Sequence, residues 1–317
     1  MLVLCVLLVL WNDDLWLNKE PLDFIEHFSG KEVLINQVQR AGFRVASVDI
    51  IHSRGMDILK PSGFGTFLVS ALMGKESGYL DWLGILCSSW VDVSRGSTRR
   101  TWCNPMGHTE FPSVARGNLM ASRCALLCLV IVATGGNFIV EQPASSLLFR
   151  HDRMRWLCQR LRVYKVALWM GQFNSKTPKR TMLWSSTSIV SLFLNKRFSL
   201  KQYRAAAKKK NSVIKPVRRY KNANGCACWT GTTQLKDTQT YPMGLGKRLV
   251  KLLALLKMTV PPVEVRGHGD AVEMFRNADY EGDDCSDAEL RQVVYYLRGC
   301  RGLKIPQRWR PLLPKVI

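Results

Sequence analysis

The stretch from Asp23 to Asp57, DFIEHFSGKEVLINQVQRAGFRVASVDIIHSRGMD, decides the fold. It reads as an apolar strand, a tight Phe28-Ser29-Gly30 turn, and a helix ending near Gly42. A second apolar strand then stops on an acid, Asp49. Together these make the first half-unit of a doubly wound α/β fold, with the acid where a bound adenosine presents its ribose hydroxyls.

Outward from that unit, strand and helix patterns alternate. Pro61 to Met73 reads as a helix, Tyr79 to Cys87 as a buried strand, and Ser113 to Thr134 as a long apolar helix stopped by Gly135-Gly136. Asn137 to Glu141 is a short strand ended by Gln142-Pro143, and Arg150 to Arg162 is amphipathic at helical spacing. Tyr164 to Met170 and Arg180 to Ser185 are two more strands, joined by a short turn. The expected architecture is a doubly wound, mostly parallel, Rossmann-like sheet with an antiparallel edge strand. Ligands in such sheets bind beyond the carboxyl ends of the strands. The candidate positions are therefore Phe28-Ser29-Gly30, Asp49, Asp57, Cys87-Ser88-Ser89 and Glu141-Gln142-Pro143.

The 317 residues suit one large domain or two ordinary ones, and a hydrophobic fraction of 47% excludes global disorder. The formal net charge of +22 points to a polyanionic partner. That charge is concentrated: between Glu141 and Asp237 the only acid is Asp152, and Lys208-Lys209-Lys210 and Arg218-Arg219 fall within the same tract. The tract reads as an insertion that meets phosphate, and equally as a nuclear-import signal. Ten cysteines without framework spacing indicate a reduced, intracellular protein without structural zinc. Leu2 to Trp11 is apolar but too short to span a membrane, so no membrane partner is expected unless that run is a signal or anchor. The expected organisation is an apolar extension (1–18), an α/β domain (19–190), a basic insertion (191–232), a segment packing back on the core (233–259) and a peripheral tail (260–317).

Taken in order, these segments resemble the cytosine-5 DNA methyltransferase family, within the Rossmann-like enzymes that use S-adenosylmethionine (SAM). The resemblance covers roughly Asp23 to Val250. In that family a Phe-x-Gly turn holds the methionine part of SAM, and Phe28-Ser29-Gly30 matches it, with Lys31-Glu32 where a second glycine is usual. Asp49 is similar to the acid that holds the ribose, and Asp57 to the acid near the third strand that contacts the adenine. The nucleophilic cysteine of a Pro-Cys pair ends the fourth strand; here Leu86-Cys87 stands there without the proline. Glu141-Gln142-Pro143 resembles the Glu-Asn-Pro whose glutamate engages the cytosine ring, and Gln172 to Arg180 loosely matches a Gln-x-Arg-x-Arg signature.

The resemblance implies a monomeric, nuclear, SAM-dependent enzyme acting on DNA rather than RNA, with no metal. Cytosine is a poor carbon nucleophile until a thiolate adds to carbon 6, which assigns that role to Cys87. An acid beside the ring, Glu141, offsets the charge that develops. Arg95, Arg99 and Arg100 in the loop after Cys87, with Lys208, Lys209, Lys210, Arg218 and Arg219, would contact nucleic acid. Two alternatives remain open here. One is methylation of an exocyclic amine, for which Cys87-Ser88-Ser89-Trp90 supplies the aromatic but neither proline. The other is an inactive nucleic-acid-binding fold of mobile-element origin.

Overall fold

A computed structural model describes residues 21–75, 78–195, 197–209 and 216–256, without the side chains of residues 233, 236 and 237. The apolar run at Leu2 to Trp11, Lys210 and the whole expected tail lie outside the described residues.

The opening unit folds as its sequence requires. Strand β1 (Phe24–His27) is buried along its whole length. Helix α1 (Val33–Arg40) buries Leu34, Ile35 and Val38, one apolar face at helical spacing. It stops at Ala41 and Gly42, the latter with φ +83°, and strand β2 (Val45–Val48) returns parallel to β1. Helix α2 (Pro61–Leu72) starts on a proline, whose missing N–H costs nothing at a first turn. Strand β3 (Leu80–Leu83) then pairs parallel with β1 on the side away from β2.

Helix α3 (Pro112–Ala133) is long and apolar enough to cross a membrane by length and composition. In this fold 67% of its most apolar window is buried, against α2 and helix α4 (Asp152–Arg160) among others, so it serves as a core helix. Strand β4 (Asn137–Pro143) pairs parallel with β3. Strand β6 (Arg180–Ser185) runs antiparallel both to β4 and to strand β5 (Tyr164–Trp169).

The sheet order is β2-β1-β3-β4-β6-β5. The fold is thus α/β, built on a mostly parallel six-stranded sheet with an antiparallel edge. Its one reversed strand, β6, lies between β4 and the outermost β5. The tract expected as a basic insertion holds helix α5 (Leu200–Lys209) and a hairpin of β7 (Val217–Lys221) and β8 (Ala227–Gly231). Helix α6 (Met243–Leu256) follows.

The strand expected over Tyr79 to Cys87 is shorter, Leu80–Leu83, which leaves Cys87 four residues beyond its end. Between β2 and β3 no further strand is described. Residues 50–60 make turns, including a 3-10 turn at Arg54–Met56, so Asp57 follows a turn rather than a strand.

Helices cover both faces of the sheet. On one, Phe24, Leu80, Trp82 and Ile139 meet α1 and the buried Leu245, Leu249, Leu252, Leu253 and Leu256 of α6. Each of those leucines contributes roughly 1.5–3 kcal/mol on burial, so α6 belongs to the core despite following the basic tract. On the other face Phe67 of α2 stacks on His27, with ring centroids 4.7 Å apart.

Candidate functional site

The β1–α1 loop is held in an uncommon backbone shape. Phe28, Gly30 and Glu32 all lie in the left-handed region, at φ +61°, +53° and +54°. Two non-glycine residues there carry a conformational cost that the surroundings must offset. Asp49 supplies part of the offset: its carboxylate accepts the Gly30 N–H at 2.9 Å and the Ile51 N–H at 2.9 Å. A hydroxyl network adds to it. Ser47 donates to Ser29 at 2.7 Å, and the His52 ring nitrogen Nε2 lies 3.1–3.2 Å from Ser47, Ser29 and the Glu32 carboxylate. Phe28, Ser29, Gly30 and Asp49 are therefore brought together, with Ile50 and Ile51 exposed beside them at 52% and 64%. Asp57 stays within its own turn, accepting from the Leu59 N–H at 3.0 Å.

Below the same rim lies a second acid. Glu26 on β1 is fully buried and accepts the Ile35 N–H at 3.2 Å, capping α1 from the strand beneath it. Burial, followed by the nearby Glu32 and Asp49 carboxylates, outweighs that bond and pushes its carboxyl up to about 8.

Past β3 the chain turns through Gly84. A side chain there would meet the Tyr241 hydroxyl at 2.8 Å, so the close approach of Tyr241 favours glycine at this position. The Gly84 N–H donates to the His27 carbonyl at 3.1 Å, joining this turn to the end of β1. Gln142, itself buried, donates from Nε2 to the Ile85 carbonyl at 2.6 Å and accepts from Ser146 at 2.8 Å. It thereby ties the end of β4 to the segment that carries Cys87. Glu141 is 6% exposed; its Oε1 meets Lys179 Nζ at 3.1 Å and its Oε2 accepts from Tyr241 at 3.3 Å. Tyr241 in turn accepts from the Trp82 indole N–H at 3.0 Å.

Cys87 shares this environment. Burial pushes its thiol above the ordinary value, the Lys179 ammonium pulls it back, and the Glu141 carboxylate adds to the rise. Burial alone would lower Lys179, but Glu141 and then Cys87 outweigh it, and its ammonium is held above the usual value. Cys87 and Glu141, both candidates from the sequence, are thus linked through the charge of Lys179. Lys179 and Tyr241 were missed as site residues. Lys179 lies in the Gln172 to Arg180 segment, the one available signal; Tyr241 lies 100 residues from Glu141 and has none.

The basic positions separate. Arg95 and Arg99 are exposed, Arg95 in an ion pair with Asp92 at 2.8 Å. Arg100 is a correction: it is 1% exposed, and its guanidinium donates to Ser89, to the Pro105 carbonyl and to the Val114 carbonyl while lying 3.5 Å from the Trp90 ring centre. Such an arginine is an internal clamp and meets no phosphate. Trp90 is buried beneath it and is not free to stack on a base, which also removes the aromatic that an exocyclic-amine site requires.

Lys208 and Lys209 are exposed in the last turn of α5, and Lys210 is outside the described residues. Arg218 and Arg219 are exposed on the β7–β8 hairpin, beside the exposed Tyr220 and Trp229. Strand β8 packs against the Asp92–Ser94 turn, so the hairpin adjoins the loop that follows Cys87.

No family model, curated protein or solved structure matches this chain. Its chemistry must be read from its own groups. Among the described residues no cluster of three or more His, Cys, Asp and Glu is placed to hold a metal. A hydroxyl–imidazole–carboxylate row does exist: Ser70 Oγ lies 2.9 Å from His27 Nε2, and His27 Nδ1 lies 3.1 Å from Asp81. All three residues are buried under Phe67, and Ser70 donates to the Phe67 carbonyl, so the row has no path to a substrate. The other cluster is Cys87, Glu141, Lys179 and Tyr241, of which Cys87 is half-buried and Tyr241 lines a cleft.

Proposed function

We propose that the protein is a SAM-dependent methyltransferase acting on cytosine in DNA, with Cys87 as nucleophile and Glu141 as ring acid. One observation carries this reading. Glu141 on β4 pairs with Lys179 at 3.1 Å, and Cys87, four residues past the end of β3, lies in the field of the same ammonium, while the Gly84 N–H after β3 bonds the His27 carbonyl at the end of β1.

The residues at that turn fit the cofactor. Each Asp49 oxygen accepts one backbone N–H and keeps a lone pair for a ribose hydroxyl. Phe28-Ser29-Gly30 would hold the methionine end, with Asp57 toward the adenine and Ile50 and Ile51 as apolar surface alongside. Bound SAM supplies an electrophilic methyl group on a sulfonium.

The chain's own groups supply the rest. The Cys87 thiol must lose its proton before its sulfur adds to carbon 6 of the ring. Burial opposes that loss and Lys179 favours it. Glu141 is oriented from two sides, by Lys179 and by the Trp82–Tyr241 relay, so that one carboxyl faces the ring nitrogen as charge develops there. Arg95, Arg99 and the hairpin arginines neutralise the phosphates of the strand from which the base is drawn.

Replacing Cys87 with Ala should abolish methyl transfer to DNA and leave SAM binding intact; transfer retained by that variant refutes the mechanism. A second reading, an inactive fold that binds nucleic acid, is favoured by Lys31-Glu32 in place of a second glycine. It predicts DNA binding with steep salt dependence and no affinity for SAM.

A further inference from the structure

A cleft of about 570 Å³ opens on the Tyr241 side of the site. Its size falls within the range of ordinary small-molecule and nucleotide sites. Three lysines line it, Lys31 from the β1–α1 loop, Lys176 from the β5–β6 loop and Lys247 from α6, and no carboxylate does. Among the described residues none of the three is ion-paired, and Glu32, the acid next to Lys31, is engaged with His52. The partly buried Tyr241 adds one aromatic ring at the wall, Phe173 behind it belongs to the core, and Asn174 adds an uncharged hydrogen-bonding group.

Charge decides what such a cleft takes. SAM carries a sulfonium and an ammonium against one carboxylate, a net +1, and three unpaired lysines disfavour a cation. An anion suits the three cations, and a planar group on it suits the Tyr241 ring: a basic groove with aromatic side chains is how single strands are held without reading their sequence.

We propose that the Lys31–Lys176–Lys247 cleft binds the phosphates of a single nucleic-acid strand, leading the chain past Tyr241 toward Cys87 and Glu141. The cleft's role rests on the nucleic-acid half of the proposed function and not on methyl transfer. Its phosphate chemistry has two sources, a polynucleotide backbone and a free nucleotide.

The test uses the full chain and its K31A/K176A/K247A variant. All three lysines are exposed, so the substitutions leave the core intact, which thermal melting checks. A fluorescein-labelled 12-nucleotide single-stranded DNA is titrated at 50 and 200 mM salt. Each single-strand phosphate contact contributes about 0.7 to the salt slope, so three lysines account for about 2. The wild type should therefore lose roughly 18-fold more affinity than the variant over that fourfold rise in salt. The variant should bind more weakly at 50 mM, with SAM affinity unchanged. Competition only by longer strands supports a path for the backbone; competition by a 5′-mononucleotide at submillimolar concentration assigns the cleft to a free nucleotide and overturns the strand path.

Equal affinity and slope in variant and wild type overturn the cleft while leaving nucleic-acid binding elsewhere on the protein. A variant that loses SAM instead of DNA overturns it as well. No DNA binding by the wild type overturns the nucleic-acid reading as a whole.

Discussion

Glu26 gives the sharpest physical test of the scaffold beneath the site. Its carboxyl is fully buried, one oxygen bonds the Ile35 N–H, and the other has no hydrogen-bond partner. Folding raises it from 4.5 to about 8, first through burial and then through the neighbouring Glu32 and Asp49 carboxylates. Between those values the folded protein holds a proton that the unfolded chain has released. Stability therefore falls as pH rises through this window. At 1.36 kcal/mol per unit, the full penalty once Glu26 ionises is roughly 5 kcal/mol, of which about 3–4 kcal/mol develops between pH 5 and 8. Glu26→Gln keeps an acceptor for Ile35 and cannot ionise, so this component of the pH dependence should vanish. Urea unfolding of wild type and variant at pH 5, 6.5 and 8 measures it. The expected result is similar stability at pH 5 and a variant more stable by a few kcal/mol at pH 8. Parallel pH profiles would refute the buried, protonated carboxyl.

Other perturbations separate clamp, cap and site. Arg100→Ala orphans several buried carbonyls and uncovers Trp90, and should destabilise by about 3–5 kcal/mol in chemical denaturation; Arg95→Ala and Arg99→Ala should leave the melting temperature unchanged and weaken DNA binding. His151 caps α4 through Nδ1, and burial, with the charges of Arg153 and Arg100, lowers it to about 4. Its folded state resists protonation, so stability should fall as pH drops from about 6.5 toward 4, and His151→Asn should flatten that limb in acid unfolding. Lys179→Met should shift alkylation of Cys87 to higher pH, followed peptide by peptide in mass spectrometry, while Lys179→Arg should restore most of the rate; an unchanged profile in Lys179→Met would remove the lysine from the site.

The strand-end positions were legible because a buried parallel strand is a run of apolar residues, and the residue after it is fixed at one edge of the sheet. Phe28-Ser29-Gly30 and Asp49 directly follow β1 and β2, whereas Cys87 lies four residues past the end of β3 and Glu141 lies within β4. Other features carry no local periodicity. That β6 inserts between β4 and β5 is a matter of pairing over distance, invisible in either strand alone. Tyr241 reaches Glu141 across 100 residues. Arg100 sits in a Ser/Arg segment that reads as solvated, and only the convergence of Ser89, Pro105 and Val114 on its guanidinium shows it to be internal. The hairpin was hidden by its own composition: Val217–Lys221 has no buried face, so lysines and arginines mask a strand. Asp57 was aligned to a third strand, whereas Gly55 and the proline opening α2 leave room only for turns.

The most direct test of the proposed chemistry is covalent trapping. Wild type and Cys87→Ala protein are incubated with SAM and a DNA pool of mixed sequence containing 5-fluorocytosine, and denaturant-stable adducts are mapped by mass spectrometry. The fluorine at carbon 5 blocks the proton loss that would release the enzyme, so the sulfur stays bonded to carbon 6. The expected result is a SAM-dependent adduct on Cys87, with the methyl group on the same base, and none in the Ala variant. Well-folded wild-type protein that binds both SAM and the DNA yet gives no adduct, or an adduct on another residue, would contradict Cys87 as the nucleophile.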